Sequence, residues 1–178
     1  MFTPQQYELL DFGNGRRLER FGALVLDRPC PSASLDRPAV PELWKTADAR
    51  FDEFTSKKRR NDFGVRGAWK PITSQGEKYF LKEGPLDLEE GRQSENTSSL
   101  PWLLPVGDKF VLELKGSPFG HVGVFPEQAE NWERIYRLCH EGAKRLGTPI
   151  YALNLFGYTG AASLAAAAAG ADVTHLDA

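Results

Sequence analysis

Ile150-Tyr151-Ala152-Leu153-Asn154-Leu155-Phe156-Gly157-Tyr158-Thr159-Gly160 is the stretch that decides how this 178-residue chain is read. Ile150 to Phe156 is apolar enough for a buried strand, and Gly157 to Gly160 reads as a turn. The alanine-rich run 161–169 reads as a helix ended by Gly170, and Asp172 to Asp177 as a second strand. Strand, turn, helix and strand in that order make a right-handed parallel unit. Parallel strands are buried on both faces. Two of them therefore need partners, from the N-terminal region or from chain beyond Ala178, and the second source is expected.

Upstream lies an amphipathic helix. Ala129, Trp132, Ile135, Tyr136, Cys139, Ala143 and Leu146 share one stripe at helical spacing. Pro126 suits the first turn, Glu127 and Glu130 sit near the positive end of the dipole, Lys144 and Arg145 near the negative end, and Gly147 is the stop. His121 to Phe125 reads as a short strand before this helix. Nearer the N-terminus, Tyr7 to Phe12 and a second extended stretch ending near Leu26 form a hairpin around Gly13-Asn14-Gly15. Pro29, Pro31, Pro38 and Pro41 make the next segment an extended connection. Leu43 to Phe54 has the spacing of a short helix, Gly76 to Lys82 and Lys109 to Lys115 read as strands, and Gly84 to Ser99 as a polar surface loop. The expected fold class is α/β, with a β-rich domain over residues 1–116 and the incomplete start of a Rossmann-like domain over residues 117–178.

Composition narrows the function classes. The net charge of −2 gives no overall attraction to nucleic acid, so such binding would rest on the local cluster Lys57-Lys58-Arg59-Arg60 between Phe54 and Phe63. Cys30 and Cys139 lack the spacing of a zinc site, no metal is expected, and both read as free thiols. Cys139 lies on the apolar stripe and reads as core. The N-terminus lacks a secretion signal and no run is long enough to span a membrane, so a cytoplasmic protein without membrane association is expected.

The turn after the first parallel strand carries the chemistry. It matches the dinucleotide fingerprint only in its last two glycines, because Leu155 stands at the first glycine position. Asp177 ends the second strand about twenty residues after the turn, where a carboxylate accepts the two ribose hydroxyls of a nucleoside. Leu155 and Tyr158 put bulk where a pyrophosphate needs bare backbone. A nucleoside cofactor without phosphates, S-adenosylmethionine, fits better than a dinucleotide.

Asn154-Leu155-Phe156-Gly157-Tyr158-Thr159-Gly160, followed by Val173-Thr174-His175-Leu176-Asp177-Ala178, resembles the first two cofactor motifs of class I S-adenosylmethionine-dependent methyltransferases. The likeness is to the group that modifies cytosine C5 and guanine N7 of large-subunit ribosomal RNA. Gly120-His121-Val122-Gly123-Val124-Phe125-Pro126-Glu127-Gln128 resembles the segment that precedes the nucleotide fold in the same group. The likeness covers about residues 117–178. It implies cofactor contacts from Phe125, Gln128, Asn154, Phe156, Gly157, Tyr158, Thr159, Gly160 and Asp177. It also implies methyl transfer to a nucleobase with ribosomal RNA as partner. The group's Asp-Pro-Pro motif and catalytic cysteine would lie beyond residue 178, so no catalytic residue is assigned and the 178 residues alone are expected to be inactive and poorly stable. A nicotinamide-dependent oxidoreductase, a non-catalytic nucleic-acid-binding protein and a truncated product without activity are the alternatives.

Overall fold

The computed structural model describes residues 2–54, 60–61, 64–65, 67–80 and 103–177, with backbone alone at 60–61 and 64–65. Two compact units emerge. One comprises residues 3–104 and 113–122, the other residues 1–2, 105–112 and 123–178.

The first unit is built on a five-stranded sheet in the order β1 (Tyr7–Gly13), β2 (Arg16–Phe21), β3 (Leu24–Pro29), β4 (Ala49–Glu53) and β7 (Gly67–Pro71). All neighbours are antiparallel except β3 and β4, which pair parallel through Leu26↔Ala49 and Asp27↔Arg50. Two further strands, β5 (Arg60–Asn61) and β6 (Gly64–Val65), form an antiparallel pair of their own. Asn14 and Gly15, both with positive φ (54° and 75°), close β1 onto β2 as a two-residue turn whose twist matches the strands. The expected hairpin thus stands, but its second stretch is two strands: Gly22, at φ 58°, turns the chain between β2 and β3. The proline-rich connection holds a short 3-10 turn, Pro31–Ala33, and carries the chain from β3 to β4.

Burial explains the sheet's stability. Leu18, Phe21, Leu24, Leu26 and Phe51 are all but inaccessible, and Leu10, Leu43 and Trp44 close over Leu18, Val25 and Ala47. Each such side chain contributes about 1.5–3 kcal/mol relative to an exposed one. Charge is buried as well. Glu19 lies between Arg28, with contacts of 2.8 and 2.6 Å, and the Tyr7 hydroxyl at 2.9 Å. Asp11 accepts from the amides of Phe12, Ala39 and Val40 and from Trp44 Nε1, all at 2.9–3.0 Å, fastening the connection to β1.

Three expected elements differ. Leu43 to Phe54 is a 3-10 turn, Pro41–Thr46, followed by β4, because Asp48 ties the chain to β3 through Val25 (its amide to Val25 O, 2.7 Å; its carboxylate from Val25 N, 2.9 Å). Sheet pairing on both sides overrides the helical spacing. The segment expected as a strand from Gly76 is instead helix α1 (Ser74–Phe80), capped by Thr73, whose Oγ1 accepts from Gly76 N at 3.2 Å. His121 to Phe125 is not a strand either. Gly120 and Gly123 take φ of 76° and 84° and break the extended run. Gly84 to Ser99 and the side chains of Lys57 to Arg60 lie outside the described residues.

The second unit holds a 3-10 turn, Pro126–Gln128, then α2 (Ala129–Leu146), β10 (Tyr151–Asn154), α3 (Ala161–Ala168) and β11 (Asp172–His175). Strands β8 (Leu103–Val106) and β9 (Phe110–Glu113), the latter inside the expected Lys109 to Lys115, pair as a small separate sheet. The helix α2 ends as expected, with Gly147 left-handed and its amide returning to Ala143 O at 2.9 Å. β10 and β11 are parallel from Tyr151↔Asp172 to Asn154↔His175. Cys139, Ala166 and Ala169 form the buried centre, joined by Ile135, Tyr136, Ile150, Ala152, Ala171 and Val173. Both helices contribute to this centre, together with Ala152 and Val173 of the strand pair; the alternate side chains Tyr151 and Leu153 are exposed. Burial pushes the Cys139 thiol up from its ordinary value, in keeping with a core role.

Candidate cofactor site

The end of β10 runs into a loop, 155–160, cross-braced to the end of β11. Leu176 N donates to Asn154 O at 2.8 Å, Gly157 N to Leu176 O at 3.1 Å, and Gly160 N to Gly157 O at 2.8 Å. The Asp177 carboxylate accepts from the amide of Tyr158. Tyr158 sits at φ 49°, a left-handed conformation that costs a non-glycine residue about 1–3 kcal/mol, and the Asp177 bond secures it there. Such strain, held by its surroundings, gathers at ligand clamps.

The two glycines answer to different constraints. Gly160 precedes α3 at φ 91°, which a side chain resists. Gly157 is set by space, because a Cβ there would overlap the imidazole of His175.

Most of the residues singled out from the sequence meet at this loop. The Phe125 ring lies 4.9 Å from that of Tyr158, tilted by 34°, and Thr159 Oγ1 donates to Gly123 O at 2.6 Å, so the segment before α2 is joined to the loop. Asn154 Oδ1 accepts from Phe156 N at 3.3 Å, and its Nδ2 donates to Ser163 Oγ at 3.0 Å. The Phe156 side chain itself is 91 % exposed. The Gln128 side chain accepts from Asn131 Nδ2 at 2.8 Å within its own helical turn. Sequence reasoning passed over Ser163 and His175, which meet at 2.9 Å between Ser163 Oγ and His175 Nδ1. A signal was present: His175 precedes Asp177 by two residues, which in an extended chain puts both on one face.

No lysine or arginine follows Arg145, and Asp172 and Asp177 are the charged side chains of the strand–loop–helix–strand unit. The Asp177 carboxylate beside the loop amides suits a neutral ribose and, nearby, a positively charged sulfonium. Among the described residues no group of three or more His, Cys, Asp or Glu side chains could hold a metal ion, and no helix is long and apolar enough to cross a membrane.

The parallel pair with its crossing helix, behind a β-rich region, gives the chain an α/β, Rossmann-like methyltransferase fold. A solved structure makes the likeness specific: the S-adenosylmethionine-dependent methyltransferase from Agrobacterium tumefaciens is 36 % identical, with a TM-score of 0.67 over 97 % of this chain. The chain spans 44 % of that protein's length. No protein-family model and no curated protein matches it.

Proposed function

We propose that this chain carries the cofactor-binding part of an S-adenosylmethionine-dependent methyltransferase. The observation that carries the reading is the Asp177 carboxylate, exposed just past the end of β11 and bonded to the strained Tyr158 amide. One oxygen holds the loop, and a carboxylate at a strand end in such a unit accepts ribose hydroxyls. The cofactor, when bound, supplies a methyl group made electrophilic by its sulfonium. Gly157 and Gly160 keep the loop backbone approachable, Phe125 and Tyr158 offer a paired aromatic surface beside it, and Asp177 orients the ribose. The 36 % identity to a methyltransferase that depends on this cofactor supports the same reading.

The acceptor we propose is a nucleobase of RNA, in a cytoplasmic enzyme. Its support is the likeness of residues 154–160 and 173–178 to the ribosomal RNA cytosine-C5 and guanine-N7 group. Calorimetric titration of S-adenosylhomocysteine, and separately of NAD, tests the cofactor. Binding of the first alone, lost in Asp177→Ala, is expected; binding of NAD alone would replace this function with nicotinamide-dependent hydride transfer.

A further inference from the structure

Three polar side chains behind the loop form a line. Asn154 is the last residue of β10, Ser163 is in the first turn of α3 and His175 is the last residue of β11, so the line joins all three elements that border the loop. Asn154 spends both ends of its amide, receiving Phe156 N at 3.3 Å and donating to Ser163 Oγ at 3.0 Å. Ser163 Oγ meets His175 Nδ1 at 2.9 Å, and the imidazole lies so close to Gly157 that no Cβ fits between them. Ser163 is the sole hydrogen-bonding side chain of an otherwise Ala and Leu helix. A serine inside a helix gains nothing in propensity over alanine, and Ser163, past the N-cap, does not cap α3. Its presence in an alanine run is accounted for by the two bonds it makes.

From this geometry we infer that Asn154, Ser163 and His175 are positioning residues that set the 155–160 loop in the shape that receives the cofactor. They act through the loop. Asn154 fixes Phe156 N, the His175 ring backs Gly157, and the next residue, Tyr158, holds the strained conformation that Asp177 secures. Serine is the joint because its hydroxyl can accept from Asn154 while it donates to His175 Nδ1 in one tautomer or accepts from it in the other. The proposal rests on the cofactor reading above and assigns to Asn154 a role in loop geometry.

The test compares Ser163→Ala, His175→Ala and their double variant with Ser163→Thr and His175→Asn, which restore a hydroxyl and a hydrogen-bonding group at the Nδ1 position. Two readouts are taken on the folded chain: affinity for S-adenosylhomocysteine, and amide hydrogen exchange at Phe156, Gly157 and Tyr158. Each alanine variant is expected to weaken affinity about 5- to 10-fold and to speed exchange at those amides, as the loss of one loop-fixing hydrogen bond implies. The double variant should lose no more than one single variant, and the restoring variants should recover most of the loss. Wild-type binding with unchanged affinity in the alanine variants would overturn the positioning role alone. Absence of binding in the wild type would overturn the cofactor reading and the positioning role with it.

Discussion

Gly157 and Gly160 stand three residues apart in one loop, and their replacement by alanine is expected to fail for separable reasons. At Gly160 the φ of 91° is the obstacle, since a new Cβ would find His175 Cε1 at an ordinary 3.8 Å. The cost is that of a left-handed backbone, about 1–2 kcal/mol. At Gly157 the obstacle is the His175 ring, which must swing away. That forfeits its bond to Ser163, about 0.5–1.5 kcal/mol, and pushes the ring off its preferred rotamer, about 0.5–1.5 kcal/mol, so Gly157→Ala should cost about 1–3 kcal/mol. Repeating both substitutions in a His175→Ala background separates the causes. The Gly157→Ala cost should then vanish, giving a coupling of about 1–3 kcal/mol, while the Gly160→Ala cost should stay within about 0.5 kcal/mol of its first value. Urea unfolding followed by circular dichroism supplies the four free energies for each cycle. A Gly157→Ala cost that survives removal of the imidazole would refute the packing argument.

Two predictions concern the β-rich unit. Arg28→Ala leaves the Glu19 carboxylate buried without its strongest partner and should destabilise the protein by about 3–5 kcal/mol, read as a shift of the urea midpoint; a change under about 1 kcal/mol would show that Tyr7 and Arg17, whose Nε lies 3.1 Å from Glu19 Oε2, suffice. His121 is pushed below its ordinary value by burial and by the cations of Arg28 and Arg17. As pH falls below about 6.5 the unfolded chain takes up this proton before the folded one, so stability drops. His121→Asn should flatten that drop between pH 7.5 and 5.5, and identical slopes in the two proteins would contradict the assignment.

Elements bounded by local punctuation were legible in the sequence. Gly147 ends α2, Asn14-Gly15 closes the first hairpin, and Gly160 with Gly170 brackets α3, since each glycine fixes a backbone conformation without help from distant chain. Elements decided by pairing were not. Phe51 is spaced to suit a helix with Leu43, Trp44 and Ala47, and only the edges of β3 and β7 make its segment a strand. Val122 and Val124 alternate like a strand, yet Gly120 and Gly123 turn the backbone around them. α1 carried its own sign, Thr73 as cap and Glu77 in the first turn, which the aromatic Tyr79-Phe80 ending obscured. At the site, glycines and the strand-end carboxylate followed from the order of elements. Of Ser163 and His175, only His175 had a signal, its place two residues before Asp177; the hydrogen bond that joins it to Ser163 links a helix to a strand and leaves no spacing rule in the chain.

The cofactor reading meets its most direct test in backbone NMR of the chain titrated with S-adenosylhomocysteine. Saturable shifts are expected to concentrate at Gly157, Tyr158, Gly160 and Asp177 and to disappear in Asp177→Ala. Saturable shifts centred elsewhere, or none at millimolar ligand, would contradict it.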